Sequence, residues 1–242
     1  MICIVKRKQL FLTGAAAFML GILTLLCIKG AAPREVFSAL SEQERPTIIL
    51  DAGHGGEDGG AVSADGVAES HINLAIVRKM DLLLTFLGYD TLLTRSGEEA
   101  VYSPDAQTLR EKKVSDLKNR VELINAQDNA VLLSIHQNSM PSHPKVHGAQ
   151  VFYNALSPSD QMAQSVQSVL NTAINPNNDK AAKAMDGTIY LMKNITKPGI
   201  LVECGFLSNA AEAQRLQTDE YQLKLTLAIV SGYLQYQMNE GQ

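Results

Sequence analysis

Residues 47–60 have the sequence TIILDAGHGGEDGG. The run from Thr47 to Leu50 is apolar and rich in β-branched side chains, which is typical of a strand, and it ends at Asp51. The segment after it is rich in glycine and polar residues and predicts a loop. We therefore expect His54 to lie in a loop directly after the first strand.

Strands and helices alternate along the rest of the chain. Apolar residues recur at helical spacing from Ala68 to Leu87, and Gly88 supplies a stop signal. Residues 130–135 (AVLLSI) are apolar enough for a strand buried on both faces. The same reasoning predicts further strands at 90–94, 148–153, 188–192 and 200–202, and further helices at 115–126 (capped at Ser115), 159–173, 210–217 and 220–237.

The composition and this alternation indicate an α/β protein with one globular domain. Of the 242 residues, 45% are hydrophobic and 19% are charged, which is ordinary for a folded domain. We predict a single domain over residues 46–242, with a mostly parallel twisted sheet of about six strands and helices on both faces. Three cysteines, two of them in the first 27 residues, cannot form a disulfide framework for this domain.

The charge distribution argues against nucleic acid as a partner. The chain has a net charge of -4, but residues 1–45 contain six of its 21 basic residues and three of its 25 acidic ones. The remainder has 15 basic and 22 acidic residues, a net charge of -7. A body this acidic would repel a polyphosphate backbone.

The N-terminus predicts export. Residues 9–28 contain no charged side chain and are long enough to span a bilayer, and the basic triplet Lys6-Arg7-Lys8 precedes them. Basic residues stay on the cytoplasmic side, so the following chain should lie on the outer face of the cytoplasmic membrane. We predict that residues 1–29 form a membrane anchor or signal segment and residues 30–45 a linker. A retained anchor is favoured, although Gly30-Ala31-Ala32 would suit cleavage.

Polar side chains follow three of the predicted strands. His54 follows the first strand, His136 follows residues 130–135, and Glu203 follows residues 200–202. Ligands of open parallel sheets bind beyond the carboxyl ends of the strands, so we expect these side chains at one edge of the sheet. Each also has a structural explanation, because a histidine can hydrogen-bond within its loop and a buried carboxylate can be held in a salt bridge.

Two histidines and a carboxylate form a known ligand set for catalytic zinc, which leaves one position for water. Glu69 is a candidate for the third ligand, because the N-terminus of the first helix should lie near the strand ends. Glu57 and Asp58 compete with it, and simple charge stabilisation of the helix N-terminus explains Glu69 equally well. The other histidines are not expected to be ligands; they are His71, His143 and His147.

Six segments between residues 48 and 209 resemble the zinc-dependent N-acetylmuramoyl-L-alanine amidases, a family also called amidase type 3. They are IILDAGHGGEDGGA, AESHINLAI, LLTR, LKNRVELIN, LLSIHQNS and GILVECGFLSN. Each alone is a weak signal, but together they are specific and cover essentially the whole predicted domain. Within the family, the single anchor, the lone catalytic domain and the segment IYLMKNITKPGILVECGFLSN are most similar to the spore-cortex amidases of endospore-forming bacteria.

The resemblance implies roles for the candidate residues. It implies that His54, Glu69 and His136 bind one catalytic Zn²⁺ and that Glu203 is the catalytic carboxylate. The family reaction is hydrolysis of the amide between the lactyl group of N-acetylmuramic acid and L-alanine of the peptidoglycan stem peptide. Zinc would activate a water, and Glu203 would act first as base and then as acid. In spores, this reaction would serve cortex maturation, where peptide removal precedes muramic lactam formation, or germination.

Other residues near the motifs have less defined roles. Glu57 is expected to be exposed or to lie behind the metal ligands, and Cys204 is expected to be a small buried apolar residue. Arg95 and Asn138 follow strands and could contact substrate, but an arginine that anchors its own loop is equally consistent with the sequence. Peptidoglycan and the membrane are the expected partners, and an accessory sporulation protein is left open.

Two other functions remain consistent with the sequence. A peptidoglycan-binding protein could keep the fold without catalysis, although all four site positions are filled. A related zinc hydrolase could cut another cell-wall amide, such as one within the stem peptide. Metal analysis and mass spectrometry of digested cell wall would separate these alternatives.

Overall fold

The structure, a computed structural model, describes residues 45–240. The predicted anchor or signal segment and most of the predicted linker lie outside the described residues. None of the helices within residues 45–240 combines the length and the apolar composition needed to cross a bilayer.

The described part of the chain contains six strands and six helices. The strands are β1 (Thr47–Ala52), β2 (Thr91–Leu93), β3 (Ala130–Asn138), β4 (Gln150–Tyr153), β5 (Lys183–Ala184) and β6 (Gly199–Phe206). The helices are α1 (Glu69–Phe86), α2 (Leu109–Asn125), α3 (Ser159–Ala173), α4 (Tyr190–Asn194), α5 (Ala210–Leu216) and α6 (Asp219–Glu240).

The strands form one sheet in the order β2-β1-β3-β6-β4-β5. Four of the five strand pairs are parallel, and β4 runs antiparallel to β6. The prediction of a single α/β domain is confirmed, but the sheet is mixed. The reason lies in residues 139–149, which connect β3 to β4 without a helix. The chain turns back at the edge where β3 ends, and the crossover that parallel strands need is missing.

Helices cover both faces of the sheet because apolar side chains alternate along the central strands. Ile49, Leu132 and Leu201 point to one face, where they pack with apolar residues of α2 and α4. Their sequence neighbours point to the other face, where the larger core cluster includes residues of α1, α3, α5 and α6. Burial on both faces explains why β1, β3 and β6 have nearly continuous apolar sequences.

Three elements differ from the sequence-based prediction, and one of them is β5, a two-residue strand that the sequence did not indicate. Helix α2 begins at Leu109, because the side chain of Thr108 accepts a hydrogen bond from Glu111 N while Glu111 accepts one from Thr108 N, forming a capping box. The predicted cap, Ser115, lies inside this helix. The predicted strand at 188–192 is wrong, because α4 occupies Tyr190–Asn194. A short apolar run has no periodicity that distinguishes a strand from a buried helical turn.

Candidate metal and catalytic site

The site lies at the carboxyl ends of β1, β3 and β6, and the loop after β1 supplies its first residue. His54 has a φ of 61°, in the left-handed region that residues with side chains rarely adopt. A Cβ atom at Gly53 would overlap the imidazole ring of His136, and one at Gly60 would overlap the side chain of Glu69. These glycines therefore allow the loop to pass close to two other site residues.

Three potential metal ligands converge at this edge. One ligand atom from each of His54, Glu69 and His136 lies within 4.8 Å of the other two. Glu69 Oε1 is 3.1 Å from His136 Nδ1 and 3.3 Å from His54 Nε2. The three residues come from three different elements: His54 lies in the loop after β1, Glu69 is the first residue of α1 and His136 lies within β3. The structure thus brings together the three residues predicted as ligands.

Asp58 forms a hydrogen bond with Nδ1 of His54, the ring nitrogen that does not face Glu69. His54 Nδ1 lies 2.9 Å from Asp58 Oδ2, and because an ionised carboxylate can only accept, Nδ1 carries the proton. This hydrogen bond from His54, together with Lys113 at 3.1 Å, holds the pKa of Asp58 well below its usual value despite partial burial. The tautomer leaves His54 Nε2 free to bind a metal, as in carboxylate–histidine–metal arrangements. Asp58 therefore orients a ligand and does not replace Glu69.

Glu69 is 3% exposed and is held from several directions. Its Oε2 accepts a hydrogen bond from Ala61 N at 2.8 Å, and its Oε1 accepts one from Asn73 Nδ2 at 3.2 Å. Burial would raise the pKa of Glu69, but contacts with the two imidazoles outweigh it and keep that pKa below its usual value. The pKa of His136 is raised correspondingly, because Glu69 and Glu203 outweigh its burial. Glu69 is therefore a fixed anion at neutral pH.

Glu203 lies in β6 directly beside His136 of β3 in the strand register. Its Oε2 is buried and has no hydrogen-bond partner among the described residues. Burial raises the pKa of Glu203 to about 7, although the neighbouring imidazoles pull it down. An unpartnered buried carboxylate is costly unless a ligand or a reacting group uses it. A pKa near neutrality is suited to a group that both takes and gives a proton.

A buried charge network fixes the backbone behind the site. Arg120 of α2 is 2% exposed and donates to Asp51 Oδ1 and Asp116 Oδ2, each at 2.7 Å. It also donates to the carbonyl oxygens of Ala52 and His54, each at 2.7 Å. Burial would raise the pKa of Asp51, but Arg120 and two hydroxyl donors lower it to about 2. The network therefore fixes the backbone from the end of β1 to His54.

The residues whose roles the sequence left open fall into different environments. Arg95 is buried and donates to the carbonyl oxygens of Ala52, Gly53, Ser70 and Gly97, so it anchors loops. Glu57 is exposed and pairs with Lys112. Asn138 is half-buried and lines a groove beside Glu203.

The remaining histidines and the cysteine lie apart from the cluster or are inert. His71 pairs with Glu98 at 2.9 Å on the surface, and His143 and His147 are exposed in the loop between β3 and β4. Cys204 is fully buried, and burial raises the pKa of its thiol far above neutrality. A buried neutral thiol is a poor nucleophile.

Three residues that shape the site were not recognised from the sequence. Arg120 lies within the LKNRVELIN motif, but nothing in a single sequence shows that its side chain crosses to β1. Asn73, four residues after Glu69, donates to Glu69 and to Gly53 O. The sequence indicates Asp58 only as a competing ligand. Its spacing of four residues from His54 is the one sequence signal for the observed contact with the imidazole.

The donor set fits a divalent metal ion. Two imidazoles and a carboxylate face one point, and the carboxylates of Asp58, Glu69 and Glu203 surround it with negative charge. A divalent cation at this point would compensate the negative charge in a mostly buried site. Three protein ligands also leave a position for water, as in catalytic metal sites.

Comparison with known proteins agrees with this chemistry. The family described as N-acetylmuramoyl-L-alanine amidase matches residues 48–235. The germination-specific N-acetylmuramoyl-L-alanine amidase of Bacillus subtilis (strain 168) is 37% identical over 195 residues, which cover 80% of this chain and 81% of that protein.

Solved structures give the same result. The CwlD amidase from Clostridioides difficile, solved in complex with the GerS lipoprotein, is 37% identical with a TM-score of 0.77; the match covers 81% of this chain and 100% of that one. The amidase AmiC2 of Nostoc punctiforme is 26% identical with a TM-score of 0.68, over 80% of this chain and 97% of that one. The narrower resemblance to spore amidases is therefore confirmed. This chain belongs to the N-acetylmuramoyl-L-alanine amidase family, as its motifs predicted.

Proposed function

We propose that this amidase uses one Zn²⁺, held by His54, Glu69 and His136, with Glu203 as its general base and acid. Its substrate is the amide between the lactyl group of N-acetylmuramic acid and L-alanine. The observation that carries the proposal is the position of Glu203. Its buried carboxylate has an oxygen without a partner among the described residues and lies beside one of three converging ligand side chains.

The chain's own residues account for orientation and proton transfer. A bound Zn²⁺ supplies Lewis acidity, which polarises a carbonyl and acidifies water. Glu203 takes the proton of the attacking water and then delivers it to the leaving nitrogen of L-alanine. A pKa of about 7 suits both steps, and such a group contributes roughly 10²- to 10⁴-fold to the rate. Asp58 keeps the proton of His54 on Nδ1, so that Nε2 faces the metal position.

Metal analysis and product analysis together test this proposal. The purified domain should contain one zinc per chain, and digestion of sacculi should release peptides that begin with L-alanine and leave glycan with bare lactyl groups. Peptides cut further along the stem would indicate a related zinc hydrolase with another target bond. Binding to sacculi without any release would indicate a non-catalytic peptidoglycan-binding protein.

We further propose that residues 46–242 are the catalytic domain and that residues 1–29 and 30–45 are an anchor or signal segment and a linker. The uncharged stretch at 9–28 behind a basic triplet supports export to the outer face of the membrane. The similarity to the germination-specific amidase of B. subtilis supports a function in spores, in cortex maturation or germination. A reporter enzyme that works only outside the cytoplasm tests export. Fused after residue 45, it should be active.

An accessory protein is also part of the proposal. The C. difficile relative was solved in complex with a lipoprotein, and we propose that a membrane-attached protein of the spore envelope binds this amidase too. Affinity purification of the full chain from sporulating cells should recover such a protein. Recovery of the amidase alone under crosslinking conditions would contradict this part of the proposal.

A further inference from the structure

A groove of about 380 Å³ extends from Glu203 towards the β5 edge of the sheet. It lies on the face that α4 covers only in part, since α4 has five residues. Its apolar lining includes Phe152, Met185, Ile189 and Leu201, and its polar lining consists of Asn138, Lys183, Asp186, Thr188 and Glu203. One end of the groove therefore contains the proposed base, and the rest combines apolar and polar side chains.

Lys183 is the one basic residue among the described residues that line this groove. Its side chain is exposed and forms no hydrogen bond or ion pair with any residue between 45 and 240. Asp186 also lines the groove but does not pair with Lys183. Its Oδ1 accepts hydrogen bonds from Thr188 N at 3.1 Å and from Thr188 Oγ1 at 2.6 Å. The groove thus presents an uncompensated ammonium group.

The strand register fixes the distance between Lys183 and Glu203. Leu201, Phe152 and Lys183 form one row across β6, β4 and β5, and Glu203 lies two residues further along β6. Two residues along a strand span about 7 Å, and two strands across span about 10 Å. Their Cα atoms are therefore about 12 Å apart on one face of the sheet. Because the long side chain of Lys183 can close part of this distance, Lys183 and Glu203 can both contact one peptide bound in the groove.

The stem peptide has a free carboxylate one residue beyond the target amide. Its second residue is D-glutamate joined through its γ-carboxyl group, which leaves the α-carboxylate free next to the L-alanine. We infer that the groove is the binding site of the stem peptide and that Lys183 pairs with this α-carboxylate. The inference rests on the proposed function, because it assumes that the amide of L-alanine lies at Glu203.

The inference predicts that the enzyme distinguishes D-glutamate from its amide, D-isoglutamine, at the second position. On two muropeptides that differ only there, wild type should have about fivefold to tenfold higher kcat/KM for the acidic one, because hydrogen bonds between charged groups are stronger than neutral ones. Lys183→Met should remove this preference by raising KM for the acidic substrate. Its kcat/KM for the amidated substrate should fall less than that for the acidic one, so that the two values become similar.

Lys193→Met is the matched control, because Lys193 is an exposed lysine of α4 that does not line the groove. It should keep the full preference for the acidic substrate. The inference would be overturned if Lys183→Met lowered kcat/KM equally for both substrates, or if it lowered kcat/KM for neither.

A binding measurement separates this inference from the proposed function. Calorimetry with the free tripeptides that begin L-Ala-γ-D-Glu and L-Ala-D-isoglutamine should show tighter binding of the acidic peptide to wild type and equal binding to Lys183→Met. Equal affinity of wild type for the two peptides would refute the role of Lys183 even if the enzyme cleaves sacculi as proposed. Failure to release L-alanine peptides from sacculi would instead refute the proposed function.

Discussion

The two sides of Glu203 are built in opposite ways. On the β1 side, Arg120 and Arg95 fix the loop that carries His54 through hydrogen bonds to backbone carbonyl oxygens. On the β5 side, the groove has a mixed apolar and polar lining and an exposed lysine without an intramolecular partner among the described residues. A metal site requires ligands fixed before the metal binds, whereas a substrate groove must leave its polar groups available. The proposed metal site and the proposed peptide groove therefore lie on opposite sides of Glu203.

The largest effect is expected at Glu203, on the boundary between the two sides. Glu203→Gln should reduce kcat by about 10²- to 10⁴-fold, because the amide cannot take a proton from water. The same variant should keep its zinc, because Glu203 is not one of the three proposed ligands. Turnover of muropeptides and zinc content per chain are the measurements. Turnover at the wild-type rate would exclude Glu203 as the base.

The next largest effect is expected at Asp58, which orients His54 on the β1 side. Asp58→Ala removes the acceptor of His54 Nδ1–H, so the imidazole loses both its tautomer and its orientation. Loss of such a partner typically weakens metal binding about 10- to 100-fold. Zinc affinity can be measured by competition with a chelator. Glu57→Ala is the matched control, since Glu57 is the exposed neighbouring acid and should leave the affinity unchanged.

The same division explains what could be predicted from the sequence. His136 and Glu203 follow from the pattern, because each is the first charged or titratable side chain after an apolar run that ends at the edge where ligands bind. Arg120 does not, because its partners Asp51 and His54 are 69 and 66 residues away in the chain. No local pattern encodes such a contact. The groove could not be predicted either, because it depends on β5, a strand of two residues, and on a five-residue helix.

The third prediction concerns the pH dependence of the network behind the fixed side. Asp51 has a pKa of about 2 in the folded protein against an ordinary value of 3.8. A lowered pKa stabilises the fold at pH values above 3.8, and the contribution is lost as pH falls towards 2. This pKa difference corresponds to about 2 kcal/mol. Urea unfolding should therefore show that wild type has a higher free energy of unfolding than Asp51→Asn at pH 6. This difference in free energy should narrow by about 2 kcal/mol between pH 4 and pH 2.

A surface control separates Asp51 from the general titration of carboxylates. Asp105 is exposed, and Asp105→Asn should leave the dependence of unfolding free energy on pH unchanged. A gap between wild type and Asp51→Asn that stays constant from pH 6 to pH 2 would show that the pKa of Asp51 is not lowered by Arg120.

The smallest effect is expected at the start of α2, the helix that carries Arg120. Thr108→Ala removes the side chain that accepts from Glu111 N at 3.2 Å, and loss of such a cap typically costs about 1 kcal/mol. Thr108→Ser keeps the hydroxyl and should cost only a few tenths of that, roughly 0.3 kcal/mol. The urea midpoint should therefore fall for the alanine variant and stay near wild type for serine. Equal midpoints for wild type and Thr108→Ala would mean that the capping box contributes nothing measurable to the stability of the fold.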